Sequence, residues 1–230
     1  RGQKMKSLKN DPQFAQRMEH FAFKETIEGE DQFLPAEIRW LSVLACLMGC
    51  QGVDAYRELL PAALKEGLQP EEVKEMVYQG ADYLGLGRIL PFLNVTNEIF
   101  TEEHIELPSA GNHTTTMEDR LEKGIEAQVE IFGEQMREAW KTSVISRWLA
   151  ANCFGDYYTR TGLTLAQREL ITFCFLLSQG GCEPQLKAHI KGNLNLGNDK
   201  ELLMKIVRTC IPYIGYPRCL NAVNCIEQTA

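Results

Sequence analysis

The segment from Gly180 to Asn198 carries the side chains that are most readily linked to chemistry. It holds Cys182 and, seven residues later, His189, one of only four histidines in the chain. On a helix, His189 shares a face with Gln185 and Asn193, each four residues away, so this face is polar. A neutral imidazole in such a place could move a proton to or from a substrate. The alternative is a histidine that serves only helix packing.

Cys182 falls at the start of the predicted helix, where the helix dipole favours a thiolate and so allows a redox role. The alternative is a small apolar filler, because most of the seven other cysteines lie in apolar helical patterns. A metal site is disfavoured, since Cys182 and His189 lie two turns apart and no third ligand has a matching spacing. We therefore expect neither a metal ion nor a cofactor.

Two charged residues precede this segment, early in another predicted helix. Arg168 could hold a substrate carboxylate through parallel N–H groups, as an enzyme that acts on an acid requires. Its alternatives are a solvated side chain or an ion pair between subunits, and the counterpart Arg39 suggests a role in the scaffold. Glu169 could orient His189 or stabilise its positive form, or it could simply favour the helix dipole. Four tyrosines could donate hydrogen bonds in a pocket or pack in the core: Tyr157, Tyr158, Tyr213 and Tyr216.

Helices are predicted to position these residues. Thr164 precedes LAQRELITFCFLLS, with Gln167 three residues on, which is a capping-box pattern. This helix should end at Gly180, and Pro184 suits the first turn of the next helix, with Gly197 as its C-terminal cap. No segment shows the convincing alternation of apolar and polar residues that would predict a strand. The sequence thus predicts an all-α fold built from helical hairpins.

The first half of the chain repeats this order of helices. Identities occur at offsets of 129 to 131 residues, which indicates an internal repeat of about 130 residues. We predict a first repeat over residues 1–100, a polar linker over 101–116 and a second repeat over 117–230. The matched residues are Phe23 and Phe154, Arg39 and Arg168, Gly67 and Gly197, Tyr83 and Tyr213, Gly85 and Gly215, and Arg88 and Arg218.

The stretches GDYYTRTGLTLAQRELITFCFLL, QLKAHIKGNLNLG and YIGYPRCLNAV resemble the carboxymuconolactone decarboxylase family. This family belongs to the alkylhydroperoxidase D-like (AhpD-like) superfamily. The resemblance covers residues 150–226 and, more weakly, residues 14–100. It implies an all-α helical bundle that packs as a symmetric oligomer, with the active site between or beneath the hairpins. A chain with two tandem repeats would then form a trimer that imitates the hexamer of single-copy members.

The resemblance also implies roles for individual residues. Peroxidases of the superfamily carry a glutamate, then C-x-x-C, then a histidine, and here Glu169, Cys182 and His189 match this order. Gln185 stands in place of the second cysteine, and a dithiol relay needs two neighbouring sulfurs. The decarboxylase branch, which keeps a polar pocket of Glu, Arg and His, is therefore the closer match. The first repeat is predicted to have lost its chemistry, since the matching positions are Trp40, Val53 and Leu59.

Composition excludes some partners. A net charge of −7 and a pI near 5.3 give no basic field for nucleic acid. The longest apolar run is far shorter than the roughly 20 residues of a membrane helix, and the N-terminal stretch lacks the apolar core of a signal peptide. Eight cysteines without a C-x-x-C pair indicate free thiols in a reducing compartment, so we expect a cytoplasmic homo-oligomer.

The leading functional hypothesis is a carboxymuconolactone decarboxylase-like enzyme that acts on a small organic acid or lactone by cofactor-free acid–base chemistry. His189 would shuttle the proton with Glu169 as its partner, Arg168 would hold the anion, and Gln185 and Tyr213 would contact the substrate. A thiol-dependent peroxidase that uses Cys182 is the first alternative. A non-catalytic oligomeric binding protein is the second.

Overall fold

The computed structural model describes residues 3–29, 31–108 and 111–230, and within these ranges the chain is helical and has no β-strand. The predicted all-α fold is confirmed. The α-helices are α1 (Pro12–His20), α2 (Ala36–Gly49), α3 (Val53–Lys65), α4 (Pro70–Leu84), α5 (Leu86–Glu102), α6 (Arg120–Phe132), α7 (Val144–Trp148), α8 (Leu165–Gln179), α9 (Glu183–Asn195), α10 (Lys200–Ile214) and α11 (Tyr216–Thr229).

Two of these helices continue as π-helical segments, Phe21–Glu25 after α1 and Leu149–Tyr158 after α7. Short 3-10 turns cover Lys6–Leu8, Glu134–Met136 and Ala139–Lys141. The predicted linker begins too early, because α5 runs on to Glu102. The predicted first repeat and linker also include residues that lie outside the described ranges, namely Arg1, Gly2, Glu30, Ser109 and Ala110.

The ends of α8 and α9 follow from local sequence. The Thr164 hydroxyl accepts a hydrogen bond from the Gln167 backbone N–H at 3.2 Å, and the Gln167 side chain accepts one from the Thr164 N–H at 2.8 Å. This reciprocal pair is the predicted capping box. Gly180 ends α8 with a φ of 70°, which a residue with a side chain rarely adopts. Pro184 lies in the first turn of α9, where its missing N–H costs nothing.

Helices α2 to α5 correspond in order to α8 to α11, and the first residues of the pairs lie 129, 130, 130 and 130 positions apart. Helix α2 packs against α8 at the centre of the molecule. In addition, α4 of the first half packs against α8, and α10 of the second half packs against α2. Helices of each half therefore pack against helices of the other half. The duplication itself stays a prediction, with which this order of helices agrees.

One continuous hydrophobic core serves both halves. Its buried side chains run from Leu34 in the first half to Ile226 in the last helix. A smaller buried cluster lies beneath α6 and contains Ala127, Ile131, Cys153, Phe154 and Tyr158. Repeats that share one core are not independently packed domains.

Helix α6 approaches the π-helical segment Leu149–Tyr158 very closely, and two glycines permit this approach. A Cβ atom at Gly124 would overlap the Ala150 carbonyl oxygen, and one at Gly155 would overlap the Arg120 carbonyl oxygen. In the π-helical segment, Cys153 and Tyr158 are both buried in the cluster beneath α6. This contact positions both α6 and Tyr158 over α8 and α9.

Candidate active site

His189 on α9 and Glu169 on α8 form a buried pair. The His189 Nδ1 atom lies 2.9 Å from each carboxylate oxygen of Glu169. The Glu169 side chain is fully buried, and His189 is 9% exposed. Gly192, one turn after His189, makes this possible, because a Cβ atom there would lie 2.5 Å from the Glu169 Oε2 atom.

The Glu169 carboxylate also accepts a hydrogen bond of 2.6 Å from the Tyr158 hydroxyl. Since Tyr158 has one proton to give, it accepts from its other two neighbours, the Thr172 hydroxyl at 2.7 Å and the Tyr83 hydroxyl at 3.1 Å. The Cys153 thiol in turn donates to the Tyr83 hydroxyl at 3.5 Å. Every donor in this network thus points toward the Glu169 carboxylate.

The network also determines the tautomer of His189. A carboxylate only accepts hydrogen bonds, so the proton lies on Nδ1 and the Nε2 lone pair is free for chemistry. The imidazole is flanked by the rings of Tyr83 and Phe132, whose centroids lie 5.5 and 5.3 Å away in edge-on arrangements. Asn193 joins the two helices by donating to the backbone carbonyls of Glu169 and His189. The imidazole is therefore fixed in both position and orientation.

His189 forms part of the wall of a cleft of about 760 Å³. The volume is typical of sites that bind small molecules. Side chains from α4, α6, α8, α9, the π-helical segment, the 3-10 turn Glu134–Met136 and the connection before α9 line it: Asp82, Tyr83, Gln128, Phe132, Gln135, Met136, Leu149, Phe154, Leu176, Gln179, Cys182, Gln185, Ala188, His189, Lys191, Leu194 and Asn195.

Residues 145–228, which contain the paired His189 and Glu169, match the model of the carboxymuconolactone decarboxylase family. The match lies in the second half of the chain and covers less than half of its length. A 4-carboxymuconolactone decarboxylase from Acinetobacter baylyi is 26% identical to it over 117 residues, which are 48% of this chain and 87% of that protein. The family that the sequence stretches resemble is thereby confirmed.

Cys182 and Gln185 lie where the sequence suggests, on the wall of the same cleft as His189. The Cys182 Sγ atom donates to the Leu176 carbonyl oxygen at 3.3 Å. The expected thiolate is not supported, because burial raises the pKa of the Cys182 thiol, and the nearby Glu183 carboxylate raises it further. Among the described residues that line the cleft, Cys182 is the sole cysteine.

Arg168 lies away from the cleft, although it precedes Glu169 in sequence. Its fully buried guanidinium donates to Glu75 at 3.0 Å and to Gln79 at 3.0 Å. It also donates to the Arg160 carbonyl oxygen at 2.8 Å. Consecutive residues of a helix point about 100° apart, so Arg168 meets α4 while Glu169 meets α9. This position does not suit the expected role as anion holder. It agrees with a role in the scaffold, through an ion pair within the chain rather than between subunits.

Tyr213 likewise does not reach the cleft, and Tyr83 lines it instead. Tyr213 packs against the shared core, and burial raises the pKa of its hydroxyl, which the nearby Arg39 partly offsets. Tyr83 takes this place in the cleft because α4 of the first half packs against α8 of the second half. The identity between Tyr83 and Tyr213 was visible in the sequence, but it could not tell which copy faces His189.

No imidazole and carboxylate pair occupies the matching place in the first half. Trp40 and Leu59 are buried there, and the Trp40 indole donates to Glu66 at 2.9 Å. Within the described ranges, no group of three or more histidine, cysteine or acidic side chains is arranged to hold a metal ion. None of the helices found there is long and apolar enough to span a membrane.

Asp82 and Gln128 are among the polar side chains of the cleft wall that sequence reasoning missed. Asp82 precedes Tyr83 on α4, and Gln128 lies one turn before Phe132 on α6. Neither residue belongs to the hairpin that carries His189, so its position in the sequence did not indicate that it lies near His189.

Proposed function

We propose that the chain is a decarboxylase of a small organic acid or lactone acid, with His189 as the proton shuttle. The observation that carries this proposal is the free Nε2 atom of an imidazole that Glu169 fixes from behind, at the wall of a cleft of suitable size. The similarity to a 4-carboxymuconolactone decarboxylase favours this reaction over other uses of an acid–base pair.

In the proposed reaction, the bond between the carboxylate carbon and the substrate carbon breaks. Carbon dioxide leaves, and the electron pair stays on the substrate carbon as a carbanion or enolate. The protonated form of His189 donates its Nε2 proton to that carbon, which gives the product R–H from R–CO₂⁻ and one proton. Glu169 stabilises the imidazolium before this transfer, and water restores its proton afterwards.

Lys191 replaces Arg168 in the proposal as the group that attracts the substrate carboxylate. Among the described residues that line the cleft it is the single lysine or arginine. Its exposed side chain belongs to α9, two residues after His189. A cation at the rim attracts an acid toward the cleft without neutralising the carboxylate deep inside it.

The proposal is tested by measuring CO₂ release from 4-carboxymuconolactone and from a panel of small lactone acids and keto acids. We expect the wild type to decarboxylate at least one of them at a rate that Cys182→Ser leaves unchanged within about twofold. Absence of turnover over the whole panel would favour the non-catalytic binding protein instead.

A thiol-dependent peroxidase remains the second candidate because Cys182 lines the same cleft as His189. The raised pKa of Cys182 argues against it, since the thiolate is the reactive form. Consumption of hydrogen peroxide by the wild type, lost in Cys182→Ser, would establish this activity in place of the proposed one.

We also propose that the chain forms a homo-oligomer, with a trimer as the expected state. Leu86 and Leu90 of α5 are exposed, and so are Tyr216 and Leu220 at the matching positions of α11. An apolar surface that occurs twice on one chain lets three chains form a closed ring of similar contacts. The eight free thiols favour a reducing compartment such as the cytoplasm.

Light scattering tests the assembly. The wild type should have the mass of three chains, and the double variant Leu90→Glu, Leu220→Glu should dissociate. Met117→Glu, at an exposed apolar residue outside these helices, should leave the mass unchanged. A wild-type monomer contradicts the proposal.

A further inference from the structure

Two acceptor oxygens in the wall of the cleft have no hydrogen-bond partner. They are the Asp82 Oδ2 and Gln128 Oε1 atoms, both buried. Gln128 is 2% exposed as a whole residue. In the part of the chain that the structure describes, one other buried side-chain atom lacks a partner, the Arg168 Nε atom, and it lies outside the cleft. The unpartnered oxygens are thus concentrated where a ligand would bind.

Such atoms require an explanation, because buried polar groups in folded proteins are nearly always hydrogen-bonded. Asp82 has no ion pair within the described residues. The polar groups that face it are the Cys153 thiol, a weak donor whose hydrogen bond lowers the pKa of Asp82, and Asp156, whose charge raises it, together with Tyr157. Neither Lys nor Arg is among them. Asp82 therefore has acceptor capacity that the protein itself leaves unused.

The positions of the two residues bring this capacity close to His189. Asp82 and Gln128 line the same cleft as His189, and Tyr83 and Phe132 on the same two helices pack edge-on against the imidazole. Asp82 comes from α4 and Gln128 from α6, so a ligand that meets both would bridge the two halves of the chain. His189 and Lys191 lie on α9, the third helix of the same cleft.

We propose that Asp82 and Gln128 form a specificity subsite that accepts hydrogen bonds from the ligand, so that the cleft prefers acids with a hydroxyl or another O–H or N–H donor. The carboxylate of such an acid lies toward Lys191 and His189, and its donor group lies toward Asp82 and Gln128. This inference shares one premise with the proposed function, namely that this cleft binds the substrate. It concerns recognition and requires no turnover.

The test uses binding, measured by isothermal titration calorimetry, of matched acids that differ by one hydroxyl. The pairs are para-hydroxybenzoate and benzoate, meta-hydroxyphenylacetate and phenylacetate, and β-hydroxybutyrate and butyrate. We expect at least one hydroxylated acid to bind about tenfold more tightly than its partner or better, since a ligand that lacks the donor leaves buried acceptors unpaired. Asp82→Ala and Gln128→Leu should each reduce this ratio to about one.

Controls keep the result interpretable. Asp54→Ala changes an exposed acid in the first turn of α3 and should preserve the ratio. Asp82→Asn, which keeps the shape of the side chain, replaces Asp82→Ala if that variant fails to fold, as judged by circular dichroism. A wild type that does not discriminate within any pair, or a ratio that survives in both subsite variants, overturns the proposal. Either result leaves the decarboxylase proposal standing if CO₂ release persists. Discrimination between the paired acids without CO₂ release would support the subsite and contradict the decarboxylase proposal.

Discussion

At the scale of single residues, the described chain contains two histidine and glutamate pairs with different surroundings. His189 and Glu169 are buried between helices, whereas His20 and Glu25 meet at 3.0 Å on the surface, with about half of each side chain exposed. A buried carboxylate can fix one imidazole tautomer, because water does not compete for the hydrogen bond. Only the first pair is therefore suited to chemistry, and the second serves as its matched control.

Glu169→Gln should disrupt the tautomer with little change in shape. The amide N–H can donate to Nδ1, which favours the other neutral tautomer, and the neutral amide no longer stabilises the imidazolium that donates the Nε2 proton. We expect kcat for decarboxylation to fall by about 10²- to 10⁴-fold with a small change in KM. Steady-state kinetics measure this loss, and Glu25→Gln should show none. An unchanged kcat in Glu169→Gln would mean that Glu169 does not control the imidazole.

Asp82 should make stability depend on pH. Burial raises the pKa of Asp82 from 3.8 to about 7, so folding takes up a proton between these values and the folded state loses stability as pH rises through about 7. Asp82→Asn removes this penalty. Because Asp82 is partly exposed, water screens part of it, and we expect the stability advantage of the variant to be roughly 1 to 2 kcal/mol larger at pH 8 than at pH 5.

Urea unfolding at the two pH values measures this difference. An advantage that stays constant, or that shrinks as pH rises, would contradict a raised pKa at Asp82.

At the scale of helices, caps and spacing predicted the hairpin of α8 and α9. That this hairpin brings Glu169, Cys182, Gln185 and His189 to one place was implied only by the family resemblance. The same sequence could not reveal which helix covers this hairpin. Tyr83 reaches the cleft because α4 packs against α8 of the other half. This packing joins segments that are far apart in the sequence, so no local pattern predicts it. Helical geometry could have shown that Arg168 and Glu169 do not face the same cleft, since consecutive residues of a helix point in different directions.

Gly192→Ala should test how closely α9 approaches α8. The added Cβ would lie 2.5 Å from Glu169 Oε2 and 2.9 Å from the Phe132 ring, so both side chains must shift. We expect unfolding free energy to fall by about 1 to 3 kcal/mol and decarboxylation to weaken as well. Gly87→Ala, in an open position on α5, should instead stabilise by about 0.5 to 1 kcal/mol. Chemical denaturation compares the two, and equal effects would contradict the close approach.

At the scale of the whole molecule, the two halves share one core and make unequal contributions to one cleft. The second half supplies His189 and Glu169, and the first half supplies Asp82 and Tyr83. The sequence predicted the all-α fold and the family, because both depend on periodicity, caps and motifs within segments. It did not predict that a half without a histidine and glutamate pair would still form part of the wall around His189.

The central claim is that the Nε2 atom of His189 moves the proton. The most direct measurement is kcat for CO₂ release by His189→Ala and His20→Ala, on whichever acid the wild type decarboxylates. The claim predicts a loss of about 10²- to 10⁴-fold in His189→Ala and none in His20→Ala. A kcat for His189→Ala within a few-fold of the wild type would contradict it.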